Sequence, residues 1–403
     1  MNGVQRWLTL IGIGEDGLEC LTSAAKTLLS QAILVVGGAR HLALVGPLHC
    51  ETMVWPSPVQ DAFAHIQSRS GQPVVVLATG DPYFYGIGSL LSARFGADCI
   101  NCLPGLSAFS LAAARLGWAL QDCAMLSLHG RDQSLLLPYL QPGGKIIALS
   151  WDGSTPGQIA GMLCARGLGA TKLTVLEAMG GKNERSLTFL ASAPVPENIA
   201  ALNLVAMEIV AERNARVIPL ASGIPDELFE HDGQITKREI RAMTLSALAP
   251  LRGQVLWDIG AGSGSIGIEW MLRDQLNGAI AIEIRADRVA RIARNAAALG
   301  VPGLRIVQGA APAALVDLPV PHAVFLGGGG SDGVLAAVWE ALRPGGRLVA
   351  NAVTLEMQAL MMQWFQAHGG ELAQVQVSRA GPVGGFTAWR PAMPVMQWSV
   401  EKP

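Results

Sequence analysis

Two α/β units of different design are predicted for this chain, and three observations predict them. Largely apolar stretches at residues 7–14, 74–78 and 255–259 each run into a glycine turn and then a helical pattern, as strands of a covered parallel sheet do. Half of the 403 residues are hydrophobic and only 15% are charged, so the chain can bury large cores. The length favours more than one domain, and Pro219, Gly223 and Pro225 break the periodicity. Residues 213–225 therefore read as a linker, between a unit at 1–213 and a unit at 214–403.

In the first unit, the strand at residues 7–14 ends in Gly12 and Gly14 and meets the acidic pair Glu15 and Asp16. Thr22 then caps a helix to about Ser30, since its hydroxyl can accept from a free N–H of the first turn. Residues 33–36 form the next strand and stop at Gly37 and Gly38. The buried strand at 74–78 runs into Thr79, Gly80, Asp81 and Pro82. There Gly80 permits close approach, Asp81 can accept from a ribose hydroxyl or an amine, and Pro82 opens the next turn. Pro104-Gly105-Leu106-Ser107-Ala108 is another glycine turn, opening a helix over 109–116. Each loop taken singly reads equally well as an ordinary α/β turn. Strands at 145–149, 173–177 and 204–210 complete the unit.

In the second unit, Thr236 is expected to cap a helix over 237–248, with Glu239 at capping-box spacing. The strand ending in Asp258 and Ile259 meets Gly260, Ala261, Gly262, Ser263 and Gly264, then the mouth of a helix. Positive φ at these glycines would lay bare main chain against a ligand, and the helix's first N–H groups would point at it. Gly262, Gly264 and Gly267 also satisfy G-x-G-x-x-G, which on its own suits a dinucleotide. Asp258, however, suits a ligand with an amine-bearing tail better than a pyrophosphate. Glu283, closing the strand at 279–283, can accept from both ribose hydroxyls. Leu342-Arg343-Pro344-Gly345-Gly346 leading into a strand resembles a late segment of class I methyltransferases. Together these favour S-adenosylmethionine (SAM), with an NAD-dependent dehydrogenase or a methyltransferase of another small molecule as the alternatives. Strands at 305–307 and 323–326 follow, and the second runs into glycines 327–330. These, Gly328 and Gly329 above all, leave a side-chain-free platform for a large flat substrate, or else a flexible loop. Asn351 and Glu356 fall where such a sheet meets its substrate, and residues 379–387 read as a hairpin over that face.

Composition excludes several classes. A net charge of −2 without a Lys/Arg run argues against a nucleic-acid surface. The six cysteines are scattered through the first half, and Cys99-x-x-Cys102 lacks a second pair or a nearby His. No metal site is expected, only reduced, mostly buried thiols. No apolar run reaches a membrane span, and a strand starting at Trp7 leaves no room for a secretory leader. A cytoplasmic protein is expected.

Gly12-x-Gly14, Gly80-Asp81-Pro82 and Pro104-Gly105-x-Ser107 occur in the order found in class III tetrapyrrole methylases, which the first half resembles. Residues 36–42 (VGGARHL) and 126–131 (LSLHGR) narrow the resemblance to the branch acting on late corrin precursors. Ile224-Pro225-Asp226-Glu227 and residues 236–241 (TKREIR) resemble its decarboxylating partner, so nearly the whole chain is similar to the fused precorrin-6Y C5,15-methyltransferases (decarboxylating) of cobalamin synthesis. The resemblance implies a tetrapyrrole-methylase fold of two α/β subdomains followed by a Rossmann-like class I methyltransferase, each holding one SAM. It puts Gly80, Asp81, Phe84, Ser107 and Ala108 at the first cofactor, with Ala108 contributing main chain where relatives carry a second Ser. Gly12 and Gly14 would lie nearer the substrate trough. It puts Thr236, Asp258, Gly260, Ala261, Gly262, Ser263, Gly264 and Glu283 at the second. Ala310 stands where relatives carry an acid or hydroxyl, so the adenine contact falls to main chain near Ala311 or elsewhere. The first unit would methylate C5; the second would decarboxylate the ring-C acetate and methylate C15. A cobalt-free substrate, no metal, and a homo-oligomer, with a tetramer among the expected forms, also follow.

Methyl transfer from a sulfonium is an in-line displacement that asks mainly for alignment and exclusion of water. No Ser/His/Asp or Cys/His set is required or found, and no catalytic acid or base is assigned. The polyanionic substrate makes Arg40, Arg131, Arg241 and Arg379 candidate carboxylate forks, each equally readable as a surface residue. Arg40, Arg131, Gly328, Gly329 and Asn351 are the substrate-binding set.

Overall fold

The computed structural model describes residues 6–403; the expectation about a leader rests partly on residues 1–5, which lie outside the described residues. The chain forms two compact units, one of residues up to Arg131 with Pro142–Ala215, the other of Asp132–Gln141 with Arg216–Pro403. Residues 132–141 thus cluster with the second unit. Their 3-10 turn, Gln133–Tyr139, buries Leu136 and Leu137; Tyr139 donates to Gln275 Oε1 at 3.4 Å and Gln141 Nε2 to Ile218 O at 3.0 Å.

The first unit holds two five-stranded sheets. Strands β1 (Leu8–Ile13), β2 (Leu34–Gly37), β3 (Glu51–Val54), β4 (Val74–Thr79) and β5 (Ile100–Leu103) are all parallel, in the order β3-β2-β4-β1-β5. Thr22 caps the helix Ser23–Ser30 as its chemistry predicts, accepting from Ala25 N at 3.2 Å. The second sheet has β6 (Cys123–Ser127), β7 (Lys145–Leu149), β8 (Lys172–Glu177), β9 (Arg185–Leu190) and β10 (Asn203–Glu208) in the order β6-β7-β10-β8-β9. Only β6 and β7 are parallel there. The helix Ala108–Leu116 packs Phe109 and Ala112 against Ile147, Leu176 and Leu204 of this sheet.

The second unit is built on β11 (Val255–Ile259), β12 (Gly278–Glu283), β13 (Arg305–Gln308), β14 (Ala323–Leu326), β15 (Arg347–Ala352) and β16 (Glu371–Val375). A hairpin, β17 (Ser378–Val383) with β18 (Phe386–Pro391), separates these from β19 (Val395–Glu401). The sheet order is β13-β12-β11-β14-β15-β19-β16, parallel as far as β15, with β19 antiparallel between β15 and β16. The chain winds outward one way from β11 and the other way from β14. Their carboxyl ends therefore flank the crevice where such sheets bind ligands. Trp257, Ile280, Val324, Leu348 and Trp398 form the core beneath.

The cysteines depart from expectation. All are free, but Cys20 and Cys164 are exposed and the other four are half-buried. Cys20 donates to Gly17 O, while Cys50, Cys99, Cys102 and Cys123 pack, partly buried, against the cores of the first unit. No helix among the described residues is long and apolar enough to cross a membrane.

Candidate functional site

Each unit carries a cleft at the carboxyl ends of its parallel strands. In the first, three strand ends meet at glycines. A Cβ on Gly12 would stand 1.8 Å from Gly80 O and 2.2 Å from Gly105 N, so the first glycine turn is a packing requirement between β1, β4 and β5. Above this junction lies a cleft of about 660 Å³, walled by both sheets of the unit. Gly80, Asp81, Phe84, Ser107 and Ala108, the residues expected at the first cofactor, all line it.

Their local roles are now specific. Asp81 turns one carboxylate oxygen back to accept from Tyr83 N at 2.9 Å, which fixes the turn after β4. Ser107 caps the helix Ala108–Leu116, its Oγ accepting from Ser110 N at 3.1 Å, so this hydroxyl serves the helix first. Phe84 lies against Phe109, ring centroids 4.8 Å apart. Arg40 and Arg131 also line the cleft, in different states: Arg40 is ion-paired with Glu15, whereas Arg131 lies over the ring of Tyr85. Sequence reasoning missed Tyr85 and Trp151. The first donates to Met125 O at 2.9 Å and the second faces His129. Tyr85 stands beside the Gly-Asp-Pro turn, a signal that was available; Trp151 follows β7 with no motif to mark it.

The second cleft, about 420 Å³, opens where β11 and β14 end. Gly260, Ala261 and Gly262 line it, as do Thr236, Gly328 and Asn351. Gly260, Gly262 and Gly264 all take positive φ, at 68°, 61° and 77°. A Cβ on Gly260 would meet Gly328 O at 2.5 Å, so the two glycine runs lie main chain to main chain. Asp258, Ser263, Gly264, Glu283, Ala311 and Gly329 are not on the cleft wall. Ser263 is buried, its carbonyl accepting from Asn295 Nδ2, and Ala311 packs on the core. Glu283 accepts from Gly262 N at 2.9 Å and Arg285 N at 3.0 Å, which shapes the glycine turn from below. Asp258 accepts from Gly267 N at 2.9 Å with one oxygen, while its buried Oδ1 has no partner among the described residues. Burial pushes its carboxyl up to about 7, against the Gly267 N–H and helped by the charge of Glu283. An orphaned buried carboxylate oxygen beneath a glycine cradle fits a ligand bearing an ammonium group and a nucleoside.

Two expectations are corrected here. Thr236 does not cap its helix, which runs Arg238–Leu248 with Lys237 as an N-cap that makes no side-chain bond. Its carbonyl instead accepts from Arg241 Nη1. Arg241 is not a substrate fork. It is buried, paired with Glu269 and Asp226, donates to Ile224 O, and lies over Phe229. The Asn351 amide on the cleft wall is engaged in part: Nδ2 donates to Thr244 Oγ1 at 2.8 Å, and Oδ1 accepts from Gln397 Nε2 at 2.9 Å, which leaves one N–H. Arg379 does reach the cleft, paired with Glu239, and residues flanking the β17–β18 hairpin (Val375, Val377, Met393 and Val395) contribute to the wall.

Comparison with known proteins gives these clefts a context. Residues 7–194 match the family described as tetrapyrrole (corrin/porphyrin) methylases, and residues 227–402 the precorrin methyltransferase domain. The chain is 53% identical over 401 residues to the precorrin-6Y C(5,15)-methyltransferase (decarboxylating) of Sinorhizobium sp, covering 99% of this chain and 97% of that protein. It is 34% identical to the cobalt-precorrin-7 C(5)-methyltransferase of Salmonella typhimurium, over 44% of this chain and 88% of that protein. It is 36% identical to a probable cobalt-precorrin-6B C(15)-methyltransferase (decarboxylating) of Pyrobaculum aerophilum, over 43% of this chain and 92% of that one. Two strand-end clefts, two matched methylase families and identity sustained along the whole length lead to one conclusion: the chain belongs to the precorrin-6Y C5,15-methyltransferase (decarboxylating) family of enzymes.

Proposed function

We propose that this chain methylates precorrin-6B (precorrin-6Y) at C5 and C15 and decarboxylates its ring-C acetate, giving precorrin-8 in cobalamin biosynthesis, with one SAM per unit. The observation that carries the reading is the presence of two separate clefts, each floored by main chain at strand ends that tolerate no Cβ. We assign C5 methylation to residues 1–213, where the tetrapyrrole methylase match lies, and decarboxylation with C15 methylation to residues 214–403. That relatives covered to about nine-tenths by less than half of this chain bear C(5) and C(15) names separately supports the division.

When bound, SAM supplies an electrophilic methyl on a sulfonium; the chain's residues align and desolvate. In the first unit, Gly80 and Ala108 offer main chain, Asp81 a carboxylate oxygen, and Phe84 and Ser107 the rest of the cofactor's wall. In the second, Gly260, Ala261, Gly262 and Thr236 face the cofactor, and Glu283, Ser263 and Gly264 hold that loop in shape. Asp258, buried beneath the glycine loop, favours the ammonium group by its charge and holds the helix mouth through Gly267 N. With Ala311 packed on the core, the adenine contact falls to main chain elsewhere on the wall. Arg131 and Gly328 are the substrate contacts, with Gly329 shaping the loop beside Gly328, while Arg40 and Asn351 act through their neighbours. The apolar wall of the second cleft, with Ile235, Ile240, Ile266 and Phe325, leaves an acetate carboxylate poorly solvated, which favours its loss. A cytoplasmic homo-oligomer, a tetramer among its forms, completes the proposal.

Calorimetric titration of the full chain with S-adenosylhomocysteine (SAH) is expected to show two sites, and titration with NADH none. A single SAH site would sink the assignment of one cofactor to each unit.

A further inference from the structure

At one end of the first unit's cleft, several polar groups converge on Thr79, the last residue of β4. Arg40 Nη2 donates to Thr79 Oγ1 at 2.8 Å, and His41 Nε2 lies 2.8 Å from the same oxygen. The second contact has a definite direction, because the other ring nitrogen of His41 is taken. Gly38 N donates to His41 Nδ1 at 3.3 Å, so Nδ1 must present a lone pair. Burial, and then the charge of Arg40, lower the imidazole to about 4, leaving it neutral at neutral pH with its one proton on Nε2. Arg40 Nη2 and His41 Nε2, 3.4 Å apart, are therefore two donors meeting at one acceptor.

A hydroxyl has one proton and two lone pairs. Arg40 and His41 occupy both lone pairs of Thr79, so its O–H can act only as a donor. Among the described residues none accepts that proton, and Thr79 is exposed on the cleft wall. Glu15, on the same wall, pairs with the guanidinium and takes up much of its charge, so Arg40 is not a free carboxylate fork. We propose that the Thr79 hydroxyl is a dedicated donor to a carboxylate side arm of the tetrapyrrole, with Arg40 and His41 as positioning residues that deny it any acceptor role. This rests on the reading of the cleft as the site of a polyacid. An ionised carboxylate is acceptor-only, and a hydroxyl polarised by a guanidinium gives it a charge-assisted bond. A ligand ammonium or N–H at the same point would meet only other hydrogens.

The test uses the full chain with saturating SAH, so that no methyl is transferred, and follows precorrin-6B binding by absorbance. Thr79→Val, nearly isosteric but without the hydroxyl, is expected to weaken one component of binding about 10- to 100-fold, the size of a hydrogen bond to a charged group. Thr79→Ser is expected to stay within about threefold of the parent, and SAH affinity to be unchanged in both. Unaltered tetrapyrrole binding by Thr79→Val would overturn the proposal, as would a serine variant as weak as valine, which would make the methyl the important group. A loss confined to SAH would also overturn it, by moving the carboxylate to the cofactor's methionyl end. If the parent chain binds SAH but no tetrapyrrole, the polyacid reading itself fails, and this inference with it.

Discussion

Arg241 shows how much one side chain can organise. Its guanidinium is fully buried, and it joins the helix Arg238–Leu248, the Ile224–Asp226 segment and Glu269 of the helix Ser265–Met271. Glu269 in turn accepts from Gly223 N at 2.7 Å and Ile224 N at 3.0 Å. Removing one partner of such a pair strands the other charge in a dry interior. Arg241→Met should therefore destabilise the second unit by about 3–5 kcal/mol, read as a lowered urea midpoint. Asp258 makes the opposite prediction. Its carboxyl is held at about 7, above the ordinary value of 3.8, so the fold keeps a proton that the unfolded chain has already lost. Its contribution to stability is fully present below about pH 4 and disappears as pH rises through about 7. Asp258→Asn keeps an acceptor for Gly267 N, so its stability relative to the parent should improve between pH 5 and pH 8 in ligand-free unfolding curves. The same variant should lose about tenfold in affinity at one SAH site, since it removes the negative charge beneath the glycine loop that favours a ligand's ammonium group. An Asn variant with two unchanged SAH sites would count against that role. Arg241 could be picked out from the sequence, but its burial could not, because its partners lie 15 and 28 residues away.

Strands and turns were unevenly legible. β1, β4, β11 and β14 announced themselves as short apolar runs with glycine at their ends, because each is covered on both faces. β3, β9 and β16 lie at sheet edges with half-exposed, mixed sequences, and they carried no comparable signal. The Thr236 cap does not form: the helix starts one residue later than its spacing suggested, with Lys237 at the N-cap, and the Thr236 carbonyl accepts from the buried Arg241. The glycine turns were found correctly, but what excludes a side chain there is other main chain. This makes two substitutions informative. Gly12→Ala forces a Cβ into Gly80 O, and Gly260→Ala forces one into Gly328 O at positive φ. Each should abolish one SAH site and spare the other in calorimetry of the full chain. Loss of both sites from either substitution would show that the clefts are not independent.

At the scale of the whole molecule, the two units solve one problem twice with different sheets, and the pairing of clefts follows from that. Residues 132–141 belong to the second unit although the chain on both sides of them belongs to the first, so the unit boundary is not a single cut in sequence. Proline and glycine content points to the crossing near residue 216, whereas Gly130 and Pro142-Gly143-Gly144 at the two earlier crossings read as ordinary turns between elements. The seven-stranded sheet carries a further consequence, for the order of synthesis. β19 lies inside the sheet, hydrogen-bonded to β15 on one side and β16 on the other, yet it is the last of the three to be made. In a chain that is still folding, β15 and β16 each keep the edge meant for β19 open until that strand docks. Until residues 395–401 arrive, those edges are free to pair with another nascent chain. A chain cut before residue 395 should thus keep both edges open and go largely to aggregate, read as a loss of soluble protein on expression.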